Sequence, residues 1–411
     1  MPAPAIPGAA AERLARLRAL PVAAPVLAGL DGEDGVHLVG GAVRDLLLGR
    51  APSELDLLVE GDALPVARRA ADRLGGTMVE HPRFGTATVR VGDVVFDLAG
   101  ARAERYEWPG ALPEVTLGAT LADDLARRDF TVNATALRLA DGELTHPPEA
   151  LHDLGDGVLR VLHDESFVDD PTRLLRLARY AARLGFAADP DTDRLAAAAV
   201  ADEALTTVSG QRLGTELRLL AREPQPAGLA ALERHGTGRA LLGPAFRVEP
   251  ALVRGALAER PPDARPDLLA LAAAGLGAER DDLRDRLRAL AFPARDVTAI
   301  VAAATVERLR AVLDAATRPS DVDLVLGNEP PEAVALAAAL GLGPPGAVAA
   351  WRDRDRGREL AVTGHDLLAA GLRGPDVGAG LAAARAALLD RGADTHAAQL
   401  AAALAAVEQQ R

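Results

Sequence analysis

The sequence predicts an α+β protein, with a small domain of strands and helices to about residue 150 and then helix for most of the remaining chain. Three observations carry this. Thr86 to Val91 and Val94 to Leu98 are rich in β-branched residues and joined by Gly92-Asp93, a two-residue turn of the kind that closes hairpins. Short apolar runs at Val36 to Val39 and Leu55 to Val59 are separated by a segment of helical pattern. From about Leu151 onward, apolar residues recur at spacings of three and four, the period of a helix packed on one face.

Residues 11 to 30 read as one alanine- and leucine-rich helix leading to the strand Val36 to Val39. A helix over Val43 to Leu48 stops at Gly49, and a turn at Ala51 to Ser53 precedes the strand Leu55 to Val59. Asp62 signals the start of a helix over about Leu64 to Leu74. The hairpin follows, then a polar and aromatic loop at Arg102 to Pro113. In the helical half, breaks fall at Gly185, Pro190, Gly210, Pro224, Pro244, Pro261-Pro262, Pro319-Ser320 and Gly341 to Gly346, with no fixed-period repeat.

Composition narrows the function classes. The 411 residues suffice for several cores, and cysteine is absent, so disulfides and thiolate metal sites are excluded and an intracellular location is expected. Apolar runs are interrupted before they reach the length of a membrane span, and residues 1 to 10 lack the features of a signal peptide. All basic residues are arginine, and the net charge of -13 argues against a surface coated for nonspecific nucleic-acid binding. Any RNA contact is therefore expected from a local arginine cluster.

The most informative stretch is Val39 to Asp62. It holds the pair Gly40-Gly41, then Arg44, then Glu54 and Asp56 on alternate positions. On a strand, residues two apart share a face, so Glu54 and Asp56 would lie side by side while Leu55 and Leu57 face the core. Two close carboxylates repel unless a cation lies between them, and hard oxygen donors with phosphate partners suit Mg2+. An ordinary amphipathic strand with solvated acids is the bland alternative, which the adjoining glycines and Arg44 argue against.

A second pattern spans Ser166 to Phe186. Asp170, Arg173, Arg176 and Arg179 recur every three residues and form a slowly drifting stripe on a helix, with leucines to pack behind it. An aspartate accepts from exocyclic amino groups and an arginine donates to ring acceptors, so Asp170 and Arg173 can together meet the Watson–Crick edges of cytosine and adenine. The bland alternative is a surface salt-bridge helix. The pairs His152-Asp153, His163-Asp164 and His365-Asp366 suggest a metal phosphohydrolase, but such a site also needs further histidines and an aspartate at long spacing, and the chain has only eight histidines.

In this order, and with Arg127 to Ala136 (RRDFTVNATA) between them, the motifs resemble those of the class II nucleotidyltransferases, specifically the bacterial CCA-adding tRNA nucleotidyltransferases and bacterial poly(A) polymerases. The resemblance runs from about Val36 to Gly236 and continues weakly to the C-terminus. It implies a polymerase-β-like head at 20–145, a helical neck at 146–222 with the nucleotide-selecting helix, a helical body at 223–330 and a helical tail at 331–411. It implies that Gly41, Arg44 and Arg128 hold the triphosphate, that Glu54 and Asp56 bind Mg2+, and that Asp97 completes the metal site or accepts a proton. Asp129 and Asn133 would brace the site wall, Asp170 and Arg173 would act as a protein template, and Arg176 and Arg179 would extend the nucleotide surface.

The implied activity is CCA addition, or its completion, to tRNA from CTP and ATP in the cytoplasm. A poly(A) polymerase and a non-catalytic nucleotide- or RNA-binding relative stay open, as do the A-adding and CC-adding specialities and the oligomeric state. Three departures from the family pattern stand out. Glu54 replaces the usual first aspartate, Asp169 replaces a glutamate, and His146 to Leu154 lacks the usual acid and glycine pair.

Overall fold

The computed structural model describes residues 9–52, 54–81 and 85–409. Ser53, at the expected turn, and residues 1–8 lie outside the described residues. Internal packing divides the chain into two units: Met1–Glu216 with Arg234–Thr237, and Leu217–Glu233 with Gly238–Arg411.

The first unit begins with α1 (Ala10–Arg18) and α2 (Ala23–Gly29). The single helix expected over 11 to 30 is thus two, parted around Pro21, whose ring removes a backbone donor and disfavours helix at the residue before it. Then follow β1 (Val36–Val39), α3 (Gly41–Leu47), β2 (Asp56–Val59), α4 (Ala63–Leu74), β3 (Thr77–His81), β4 (Thr86–Val91) and β5 (Val94–Gly100). Asp62 caps α4 by accepting from the Leu64 amide at 3.0 Å, and Ala63, Val66, Ala67, Ala70 and Ala71 bury its core face. The β4–β5 hairpin pairs Val91 with Val94 around Gly92, whose φ of 56° suits glycine.

Next come β6 (Arg102–Arg105), β7 (Glu114–Leu117), α5 (Leu121–Ala126), β8 (Ala136–Arg138) and β9 (Leu144–Thr145). The expected loop at Arg102 to Pro113 therefore starts as a strand, since β6 pairs antiparallel with β7 across residues 106–113. The main sheet has seven strands in the order β3-β4-β5-β2-β1-β8-β9. All its neighbours are antiparallel except β2 and β5, whose parallel register sets Asp56 beside Asp97.

The unit continues through α6 (Ala150–Asp156), β10 (Val158–Leu159), α7 (Ser166–Asp169), α8 (Thr172–Leu184), β11 (Ala187–Ala188), α9 (Pro190–Ala201) and α10 (Gly210–Ala221), the last included as far as Glu216. Gly185 ends α8 in the left-handed conformation, and Pro190 starts α9 behind the cap Asp189.

In the second unit all the described regular structure is helical. Its core helices Pro266–Ala274, Ala294–Ala304 and Pro331–Ala339 bury nearly continuous alanine, leucine and valine, because each has neighbours on several sides. Toward the C-terminus, Pro375–Arg391 and His396–Glu408 pack as a hairpin around Ala384, Ala403 and Val407. Among the described residues, no helix is long and apolar enough to cross a membrane.

Candidate active site

The carboxylates come first because the sheet fixes them. Leu55, Leu57 and Leu58 are buried and anchor β2. Regular strand begins only at Asp56, so Glu54 sits on the chain leading into β2 rather than on the strand expected from alternation. Asp97 is the register partner of Asp56 on β5, and its Oδ1 accepts from Thr88 Oγ1 at 2.6 Å.

Burial raises the Asp56 carboxyl above the ordinary aspartate range, with the negative charges of Glu54 and Asp97 adding to the rise and the Arg128 guanidinium opposing it. Such a self-repelling oxygen set has the chemistry of a divalent-cation site. Among the described residues, no group of three or more acidic or histidine side chains converges closely enough to hold a metal ion unaided. Phosphate and water oxygens would complete the coordination.

Glu54 and Asp56 line two cavities, one of about 560 Å³ and one of about 380 Å³. The larger also holds Gly41, Arg44, Arg128, Asp170, Arg173, Arg176 and Arg179. Of the site residues expected from sequence, Asp97 alone lies outside it and lines the smaller cavity.

The phosphate-facing wall is built on α3 and the segment after α5. Gly40 has φ 69°, a conformation that demands glycine, and a Cβ there would displace the Arg128 guanidinium, whose Nη1 would lie 2.6 Å away. Arg44 is buried, with Nη1 donating to Asn133 Oδ1 at 2.7 Å and Nε to Asp45 Oδ1 at 2.8 Å. The Asn133 amide donates to Asp129 Oδ1 at 3.0 Å, and Asp129 Oδ2 receives Arg176 Nε at 2.8 Å. Burial alone would raise the Asp129 carboxyl, but Arg176 and the Asn133 hydrogen bond bring it below its ordinary value. Arg128 is tied to Asp124 at 3.0 Å, while among the described residues its Nε and that of Arg179 are buried without a hydrogen-bond partner, donors that suit an anionic ligand.

The stripe read from Asp170 to Arg179 is only partly helical. Asp170 precedes α8, in extended conformation, and accepts from the amide and hydroxyl of Thr172 at 3.1 and 2.7 Å. Arg173 is not its ion-pair partner: Arg173 is buried and donates to Ser166 Oγ and to the Arg127 carbonyl, both at 2.7 Å. Asp170 pairs instead with Arg212, at 2.8 Å.

Sequence reasoning missed four residues of this cavity or its margin. Tyr180 lies 5.3, 5.5 and 5.0 Å from the guanidinium carbons of Arg44, Arg176 and Arg179. Glu216 pairs with Arg176 at 3.4 Å and with Arg179 at 3.0 Å. Tyr106 lines the cavity with its hydroxyl pushed up to about 12, chiefly by burial. Arg212 completes the set. The available signal was the four-residue spacing of Arg212 and Glu216, which puts both on one face of α10.

Residues 36–160 match the poly A polymerase head domain. The chain is 43% identical over 218 residues to an A-adding tRNA nucleotidyltransferase of Halalkalibacterium halodurans, covering 51% of each protein. It is 44% identical over 229 residues to a CC-adding tRNA nucleotidyltransferase of Deinococcus radiodurans, covering 55% of this chain and 59% of that one. The chain thus spans about half the length of the curated relatives it matches. Among solved structures, an apo CCA-adding enzyme superposes with a TM-score of 0.83 at 27% identity, over 97% of this chain and 98% of that one. The Thermotoga maritima CCA-adding enzyme complexed with tRNA does so with 0.75 at 25% identity, over 97% and 98%.

Proposed function

The chain belongs to the class II tRNA nucleotidyltransferase and bacterial poly(A) polymerase family, and from that premise we propose that it adds CCA, or completes it, at tRNA 3′ ends from CTP and ATP. The observation that carries this reading is the meeting of Glu54 and Asp56, the Arg44–Arg128 wall and Asp170 in one cavity. Solved relatives described as complexes of CCA-adding enzymes with ATP and with CTP support the same substrates. The head would span 20–145, the neck 146–222, the body 223–330 and the tail 331–411, with the enzyme in the cytoplasm.

Magnesium is the fitting cation, held by Glu54 and Asp56. Bound there, it would offset triphosphate charge and acidify the terminal 3′-hydroxyl. Gly41, Arg44 and Arg128 hold the phosphates through backbone approach and charge-assisted hydrogen bonds. Asp170 accepts from the exocyclic amino group of cytosine or adenine. Arg173, spent on Ser166 and Arg127, fixes the segment beside Asp170, while Arg176 and Arg179 close the nucleotide surface. The 3′-oxygen bonds to the α-phosphorus as the bond to the bridging oxygen breaks, pyrophosphate leaves, and the hydroxyl proton passes to Asp97. Fixed donors and acceptors that need little rearrangement supply most of the acceleration.

Incubation with tRNAs ending before, within and after the CC, with CTP and ATP supplied separately and together, tests the reading. Incorporation of CMP, AMP or both in the CCA order supports it. Long adenylate tails would identify a poly(A) polymerase, and nucleotide binding without turnover at any metal concentration would identify a non-catalytic relative.

A further inference from the structure

We propose that Arg212 sets the orientation of the Asp170 carboxylate, making it a positioning residue for base choice. This rests on reading Asp170 as the group that meets the incoming base. Three donors converge on one oxygen, Asp170 Oδ1: the Thr172 amide at 3.1 Å, the Thr172 hydroxyl at 2.7 Å and Arg212 Nη2 at 2.8 Å. That crowding saturates Oδ1 and leaves Oδ2 as the acceptor for a ligand in the cavity that Asp170 lines.

Arg212 is itself held at a second point, because its Nη1 donates to the Gly110 carbonyl at 3.0 Å. Gly110 has little room to shift. Its amide donates to the Val168 carbonyl at 3.1 Å, its φ is 72°, and a Cβ on it would lie 2.1 Å from Thr207 Oγ1. One guanidinium thus spans a fixed carbonyl and the carboxylate, the two-point grip that its planar fork allows and an ammonium cannot reproduce. The Arg173 guanidinium donates instead to Ser166 Oγ and the Arg127 carbonyl.

Cytosine and adenine offer an exocyclic amino group to a carboxylate, whereas uracil offers a carbonyl. An Asp170 free to rotate would no longer hold an acceptor at a fixed point and would lose part of that distinction. The phosphate wall of Arg44 and Arg128 makes no hydrogen bond to Arg212 and keeps its own anchors.

The test is single-turnover incorporation of CTP and UTP into tRNA lacking its terminal nucleotides, for the parent, Arg212→Met, Arg212→Lys, Asp170→Ala and the Arg212→Met/Asp170→Ala double variant. Competition by inorganic tripolyphosphate reports the phosphate wall separately. Arg212→Met should lower the CTP-to-UTP ratio about ten- to a hundredfold while leaving tripolyphosphate inhibition at the parental level. The double variant should be no less selective than Asp170→Ala, as expected for two residues acting through one group. A parental ratio in Arg212→Met beside a lowered one in Asp170→Ala overturns the positioning role. A parental ratio in Asp170→Ala overturns the templating reading, and this proposal with it. If Arg212→Met does not fold, Arg212→Lys decides: lysine reaches Asp170 or Gly110 but not both, so selectivity should fall, and a parental ratio overturns the proposal.

Discussion

Arg44 donates to the side-chain oxygen of Asn133 at 2.7 Å, joining segments 89 residues apart. Asn133 passes the restraint on to Asp129, so the buried guanidinium is aimed by a neutral amide whose other end is anchored. Asn133→Leu keeps the volume and removes both bonds. We expect the KM for CTP and ATP to rise together by roughly tenfold or more, because a charge-assisted hydrogen bond contributes about 1.5 to 3 kcal/mol. Steady-state kinetics with each nucleotide checks this, and an unchanged KM for both would show that Arg44 is aimed without Asn133.

Asp56→Ala should abolish incorporation and leave the fold intact. The side chain stands at the start of β2 and lines both cavities, where it contributes oxygen and charge rather than packing. Circular dichroism with a primer-extension assay decides, and turnover near the parental rate would show that the metal binds elsewhere.

The same residue predicts a pH effect. Its carboxyl is raised in the folded state, so the ionised form is disfavoured there and opposes folding at neutral pH. Asp56→Asn should therefore raise the melting temperature of metal-free protein near pH 7. The gain should shrink as pH falls through the raised value and vanish below about pH 3.9, where the unfolded aspartate is also protonated. Thermal melts in chelator across that range test the sign, and a loss of stability at pH 7 would contradict it.

Glu54→Asp shortens the side chain to the usual family length and should keep or raise activity, whereas Glu54→Gln should remove most of it. Glu54 lies ahead of the regular strand, where the backbone has freedom to accommodate the extra methylene. A metal titration of activity separates the variants, and parental activity in the glutamine variant would exclude Glu54 as a ligand.

Tyr180 gathers three guanidiniums around one ring, and its hydroxyl accepts from Arg176 at 3.2 Å. Cation–π contacts of this kind are worth about 0.5 to 2 kcal/mol each. Tyr180→Leu should weaken all four nucleotides alike by about tenfold, since phosphate-side and base-side arginines loosen together. Tyr180→Phe retains the ring and should lose little. Nucleotide KM values against kcat test this, and a loss confined to one base would assign Tyr180 to recognition instead.

The parts legible in the sequence were those whose cause is local. Gly92-Asp93 closes the β4–β5 hairpin and Asp62 caps α4, each through neighbours a few residues away. The β6–β7 pair escaped notice because its strands are short, charged and joined by residues 106–113 without a turn signature. At the site, motif order pointed to most of the residues that line the larger cavity, yet it held no sign of the partner of Asp170. Arg173 is three positions away and Arg212 is 42, and only the packing of α10 brings the latter close. Tyr180 carries no such signal, since nothing in its spacing reveals three arginines converging from two helices.

Among the described residues, the larger cavity is walled by seven guanidiniums and seven carboxylates, with little hydrocarbon among them. A nucleotide entering it exchanges one set of polar contacts for another, so binding should release heat while changing heat capacity only slightly, unlike insertion into an oily pocket. Arginine keeps its proton throughout the workable pH range, so the guanidiniums themselves add no buffer-dependent heat. Divalent-cation binding should differ: where Asp56 still carries its proton, ligation must expel it, and isothermal titration in buffers of contrasting ionisation enthalpy would register the released proton directly.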